Sequence, residues 1–91
     1  VIDQIRVRIE GHVQGVFFRA TTQEKARELG VRGWVANRRD GTVEAVFGGP
    51  PDRVGTMLLF CHEGPARADV ERVISQASDE ERLPEPFEIR R

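Results

Sequence analysis

Residues 31–47, VRGWVANRRDGTVEAVF, set the plan of the chain. Val31 to Asn37 and Thr42 to Phe47 are rich in β-branched and aromatic residues, and Arg38-Arg39-Asp40-Gly41 lies between them. Asp-Gly between two such runs is a strong hairpin signal. Upstream, the period changes. Phe18, Thr22, Ala26 and Leu29 form one stripe, with Glu24, Lys25, Arg27 and Glu28 mostly off it, which predicts a helix over 18–29 closed by Gly30. Downstream, Gly48-Gly49 ends the second strand of the hairpin. Pro50 and Pro51 suit the first turn of a second helix, where a missing N–H does no harm. Val54, Met57, Leu58 and Cys61 give that helix its apolar stripe, and Gly64-Pro65 stops it.

The outermost segments are strands. From Val1 to Glu10, Ile5, Val7 and Ile9 alternate with Arg6, Arg8 and Glu10, the pattern of a half-buried strand. Ala66 to Ala77 is a further strand whose parity slips between Val70 and Val73, which places a bulge near Glu71-Arg72. Ser78 to Pro86 is a polar loop, and Phe87 and Ile89 alternate with Glu88 and Arg90 in a short fifth strand. Strand, helix, strand, strand, helix, strand is the α+β, ferredoxin-like split βαβ arrangement. It puts two helices on one face of a mostly antiparallel sheet. A single domain over 1–91 is expected. This fold hosts many activities, so function must come from a site.

Composition narrows the classes. Lysine plus arginine total 14 against 15 acidic residues, a formal charge of −1, which argues against broad nucleic-acid binding. Only Lys25 among the cations is lysine. Arginine suits oxyanions, and a genome bias explains the same imbalance. The lone Cys61 cannot form an intramolecular disulfide or a cysteine zinc site. No apolar run approaches the ~18–20 residues that span a membrane, and no signal-peptide pattern opens the chain. The expectation is a cytoplasmic monomer with no cofactor and no metal.

The loop GHVQGVFFR, Gly11 to Arg19, leads from a strand into a helix. The first N–H groups of a helix have no internal partner and lie at the positive end of its dipole. A glycine loop that turns further N–H groups toward the same point makes an anion cradle. Arg19, in the first turn, opposes the dipole unless an anion sits before both; its guanidinium can hold phosphate through two parallel bonds. By itself the pattern favours a tight turn with a surface arginine behind it. Asn37 ends the first strand of the hairpin. In split βαβ topology the first and second strands are parallel and flank the third, so Arg19 and Asn37 converge on one edge of the sheet, about 10 Å apart at the strands. A turn-forming asparagine is the plainer explanation.

At these residues the chain resembles the acylphosphatase family. IEGHVQGVFFR, Ile9 to Arg19, is similar to the family's first signature, GWVANRRDGTVEAVFGG, Gly33 to Gly49, to its second, and GPARADVERV, Gly64 to Val73, to a frequent family stretch. The resemblance covers nearly the whole chain in the expected order and tips both choices toward function. It implies hydrolysis of small acyl phosphates without a metal. Arg19 and the backbone N–H groups of Gln14, Gly15, Val16, Phe17 and Phe18 would hold the phosphoryl group, and the Asn37 amide would orient the attacking water. The ending Ile89-Arg90-Arg91 departs from the aromatic residue with which members often finish.

Other chemistry-bearing residues have plainer roles. His12 and His62 are expected at the surface, Cys61 in the core, and Trp34 against a neighbouring strand or helix. Phe17 and Phe18 are expected to anchor the loop to the core, and Arg38 and Arg39 to form a solvated turn. Two rivals remain. A ferredoxin-like binding module would need exposed strand aromatics for RNA or a Cys-x-x-Cys loop for metal carriage; a small-molecule regulatory module would need neither. The acylphosphatase-like domain of larger carbamoyl-transfer proteins continues into cysteine-rich zinc segments, whereas this chain ends after its fifth strand.

Overall fold

The computed structural model describes residues 3–80 and 82–90. The parts of the first strand and of the 78–86 loop that fall on Val1, Ile2 and Glu81 lie outside it, as does Arg91. The elements run β1 (Asp3–His12), α1 (Phe18–Leu29), β2 (Arg32–Asn37), β3 (Val43–Gly49), α2 (Pro51–Glu63), β4 (Asp69–Ala77) and β5 (Glu88–Arg90). They build one sheet in the order β4-β1-β3-β2-β5. All pairs are antiparallel except β2 with β5.

Alternation assigns the faces. Val7 and Ile9 of β1, Val35 of β2, and Val43, Ala45 and Phe47 of β3 point to the helix side. There they meet Phe18 and Ala26 of α1 and Val54, Met57 and Cys61 of α2, all buried. Phe47 stacks on Phe87, ring centroids 5.6 Å apart. Cys61 belongs to this core, and burial pushes its thiol pKa up to about 12. It is a small apolar residue here, as its place on the α2 stripe implied.

The bulge in β4 lies at Glu71. Glu10 pairs with Arg72 and Gly11 with Val70, so Glu71 has no partner across the ladder. The slip brings β1 close against β4: a Cβ on Gly11, whose φ is 130°, would run into the Asp69 carbonyl. Three strand boundaries differ from expectation by two residues or more. β1 runs on past Glu10 through Gly11 and His12, which pair with Val70 and Asp69. β3 continues through Gly48 and Gly49, which pair with Gln4 and Asp3 across the sheet. β4 starts at Asp69, because residues 66–68 are taken up by a turn closed by the Ala68 N–H donating to the Pro65 carbonyl at 2.9 Å.

The other face carries a second, smaller cluster of Trp34, Ala36 and Val46, with Leu83 from the 78–86 loop packed on it. The guanidiniums of Arg6, Arg38 and Arg90 lie 5.8, 5.4 and 5.2 Å from the Trp34 ring centroid. Its indole N–H donates to Glu80 Oε1 at 3.2 Å. Trp34 is thus covered by a loop and by arginines, while both helices sit on the opposite face.

Candidate active site

Asn37 and Ile9 both pair with Val43, so the ends of β1 and β2 stand two strands apart on one edge, pointing the same way. The loop from β1 to α1 crosses the gap between them. Val13, Val16 and Phe18 are buried and bind the loop to the core, while Gly15 and Phe17 between them face outward. Phe17 does not anchor the loop: it is 70% exposed. Two adjacent phenylalanines at a helix start cannot both face inward, and Phe18 takes the inward position, its ring 5.8 Å from Phe60.

Phe17 is also the N-cap of α1, in the left-handed region at φ 65°, and the one non-glycine residue with positive φ among those described. Such a conformation costs of order 1 kcal/mol or more and persists only when the surroundings impose it. Here it turns the chain from the loop into the helix. No side chain caps α1, and its first turn holds no acidic residue. Among the described residues, no carbonyl accepts from the N–H groups of Gln14, Gly15, Val16 or Phe17. Four consecutive donors followed by an uncapped helix end form a concentrated positive dipole with no acidic side chain in the first turn to neutralise it.

A cleft of about 340 Å³ opens before this end, lined by Val13, Gly15, Phe17, Phe18, Arg19, Ala20, Asn37 and Ile89. Arg19 and Asn37 therefore share one cavity. Arg19 is half-buried and is the one ionisable side chain in the lining. Among the described residues it has no carboxylate within ion-pair distance, although Arg6, Arg8, Arg38 and Arg90 all do. Asn37 Oδ1 is buried and is the one such side-chain atom without a hydrogen-bond partner among the described residues. Leaving an acceptor so placed costs about 1–3 kcal/mol, so Asn37 is held at the cleft with an unmet hydrogen-bonding demand.

The fixed spacing of the two halves rests on a contact that motif inspection missed. The Gln14 amide donates to the carbonyls of Arg38 and Thr42, at 2.7 and 2.9 Å. It staples the loop to the hairpin directly beyond Asn37. Arg38 is more ordered than a solvated turn: it donates to Glu44 at 2.6 Å, and Arg6 holds the other Glu44 oxygen at 2.7 Å. Burial raises the Glu44 pKa, but these two guanidiniums outweigh it and leave the carboxyl below its ordinary value. His12 is exposed at the end of β1, opposite Asp69 and outside the cleft lining; His62 is exposed at the end of α2. Among the described residues no three His, Cys, Asp or Glu side chains gather as a metal site would require.

A family profile described as acylphosphatase matches residues 5–89. The chain belongs to the acylphosphatase family. It is 51% identical over 84 residues to the acylphosphatase of Haloarcula marismortui, covering 92% of this chain and 91% of that one. The solved structure of an acylphosphatase from Coxiella burnetii superposes with a TM-score of 0.91 at 37% identity, over 98% of this chain and 93% of the other. Full-length HypF in its phosphate- and nucleotide-bound form shares the fold, with a TM-score of 0.84 at 18% identity; the match spans 98% of this chain and 12% of that one. The activity of an acylphosphatase is the hydrolysis of acyl phosphates, and this chain carries it. No helix of the described residues is long and apolar enough to cross a membrane.

Proposed function

We propose that the enzyme cleaves small acyl phosphates by direct attack of water, with no metal and no covalent intermediate. Arg19 and the N–H groups of Gln14 to Phe18 hold the phosphoryl group. Asn37 holds the water. The observation that carries this is the shared cleft. One wall is an uncapped helix end with an unpaired arginine, and the other offers a buried amide oxygen that has no partner.

The chemistry asks for little more. The leaving group is a carboxylate, a good one, so a strong general acid is unnecessary. The P–O bond to the acyl group breaks, its electron pair leaves on the carboxylate, and the water oxygen forms the new P–O bond. The water's proton passes to a phosphate oxygen. Phosphoryl transfer of this kind depends on positioning and on charge stabilisation. Asparagine cannot ionise, so its Oδ1 accepts from the water and aims it. A net charge of −1 and the pairing of outer-face arginines with Glu44, Glu80 and Glu10 support a protein that does not bind nucleic acid. We take it as a cytoplasmic monomer.

The test is hydrolysis of benzoyl phosphate by the purified protein with EDTA present. Turnover that survives the chelator supports the metal-free route. A folded protein that binds inorganic phosphate yet releases none from benzoyl phosphate would reduce the site to an anion-binding module.

A further inference from the structure

The phosphoryl group accounts for Arg19 and the loop N–H groups, and the attacking water for Asn37, but neither accounts for the apolar part of the cleft. Phe17 is the anomaly. Glycine is the residue that takes φ 65° without strain, and Gly15, two residues earlier, does so at φ 74°. Phe17 holds the same region of backbone space with a bulky side chain, and that side chain is not buried. Neither backbone preference nor core packing explains a phenylalanine here. Its position does: it lines the cleft beside Ala20, also exposed, with half-buried Ile89 in the same lining.

Building on the proposed site, we infer that Phe17 is the acyl-binding lip of the cleft and that it makes the enzyme favour acyl phosphates whose acyl group is apolar, above all aromatic. In-line attack puts the acyl group across the phosphorus from the water that Asn37 holds. A ring at the helix side of the cleft mouth is placed to cover it. Arg19 grips the part that every acyl phosphate shares. Phe17 reads the part that differs, by offering an aromatic face against an acyl ring. An acetyl or carbamoyl group buries little against it.

Acyl phosphonates, in which the carbonyl carbon is bonded directly to phosphorus with no bridging oxygen, keep both ends of the substrate and have no P–O–C link to hydrolyse. Calorimetry on the full chain measures the Kd of benzoylphosphonate and acetylphosphonate for wild type, Phe17→Gly and Phe17→Leu. Glycine relaxes the backbone at this φ, so the variant folds. Any change in the loop N–H groups acts on both ligands alike and cancels in the ratio of the two constants. Wild type is expected to prefer the benzoyl compound roughly tenfold. Phe17→Gly should cut the preference to about twofold or less, with Phe17→Leu between. Equal binding by wild type, no binding of either compound, or a preference that survives Phe17→Gly would overturn the inference. Binding is read without turnover. A preference with no hydrolysis of benzoyl phosphate therefore sinks the proposed mechanism and keeps the lip, and hydrolysis with no preference does the reverse.

Discussion

The two helices begin in opposite ways. At α2, Pro50 and Pro51 carry no N–H, so two of the orphan donors are missing, and Asp52 brings a negative charge into the first turn. At α1 the donors are intact, no acid is present, Phe17 strains the turn, and Arg19 adds a positive charge where the dipole is already positive. Both ends lack a side-chain cap hydrogen bond. Yet α2 is electrostatically complete and α1 is not. The same fold element is finished on one side of the molecule and left open on the other. The open end faces the cleft with the unpartnered Asn37 oxygen. Local stability has been given up where an anion can restore it.

This contrast breaks most sharply at Arg19. Arg19→Ala should lower kcat/KM for benzoyl phosphate about 10³-fold or more, weakening phosphate inhibition as well. It should not lower the thermal unfolding midpoint, because the lost cation opposed the dipole. An active variant, or one that loses much stability, would mean that Arg19 is structural. Next comes Asn37→Ala, with kcat down by about 10²–10³-fold and the inhibition constant of inorganic phosphate nearly unchanged. Equal losses in both would move Asn37 from the water to the phosphate.

The contrast can also be reversed. Ala20→Glu gives the first turn of α1 the acid that α2 has. Turnover should drop at least about tenfold by repulsion of the phosphoryl group, while stability rises by a few tenths of a kcal/mol. Asp52→Asn at α2 should lose a similar small stability and leave turnover as it was. If the two substitutions shift the midpoint in the same direction, the two ends do not differ as described.

The smallest effect lies beneath the hairpin. Glu44 has a lowered pKa in the folded chain, so its contribution is complete above the ordinary value of 4.5 and fades as pH falls through the folded value. Glu44→Gln should be less stable than wild type at pH 7. The gap should narrow below pH 4.5, as followed by thermal melts across an acid series.

Most of the scaffold was legible because it rests on short-range rules. The hairpin lay in Asp40-Gly41, α1 in its stripe from Phe18 to Leu29, and the bulge in the parity slip between Val70 and Val73. Boundaries failed where pairing partners decide them. Gly48 and Gly49 look like a strand end, but β1 extends far enough to pair with them. Side-chain direction failed at Phe17, because a helix N-cap breaks the alternation that would have assigned it. The chain showed which residue types gather at the sheet edge. It did not show the Gln14 amide binding the carbonyls of Arg38 and Thr42, since a contact across 24 or 28 residues leaves no local pattern. The cover over Trp34 was hidden for the same reason: Glu80 and Leu83 arrive from a loop with no periodicity of its own.

The buried thiol gives the molecule an internal clock. Cys61 is the single cysteine, and in the folded state its pKa of about 12 and its enclosure keep it from reacting. A thiol reagent at mild pH can label it only when the core opens, so labelling counts openings. Any ligand held by the closed form makes openings rarer, by a factor of 1 + [L]/Kd. Inorganic phosphate at a hundred times its Kd therefore slows the labelling about a hundredfold. A residue with no part in the chemistry thus reports how tightly the cleft holds its anion, in variants too slow to assay by turnover.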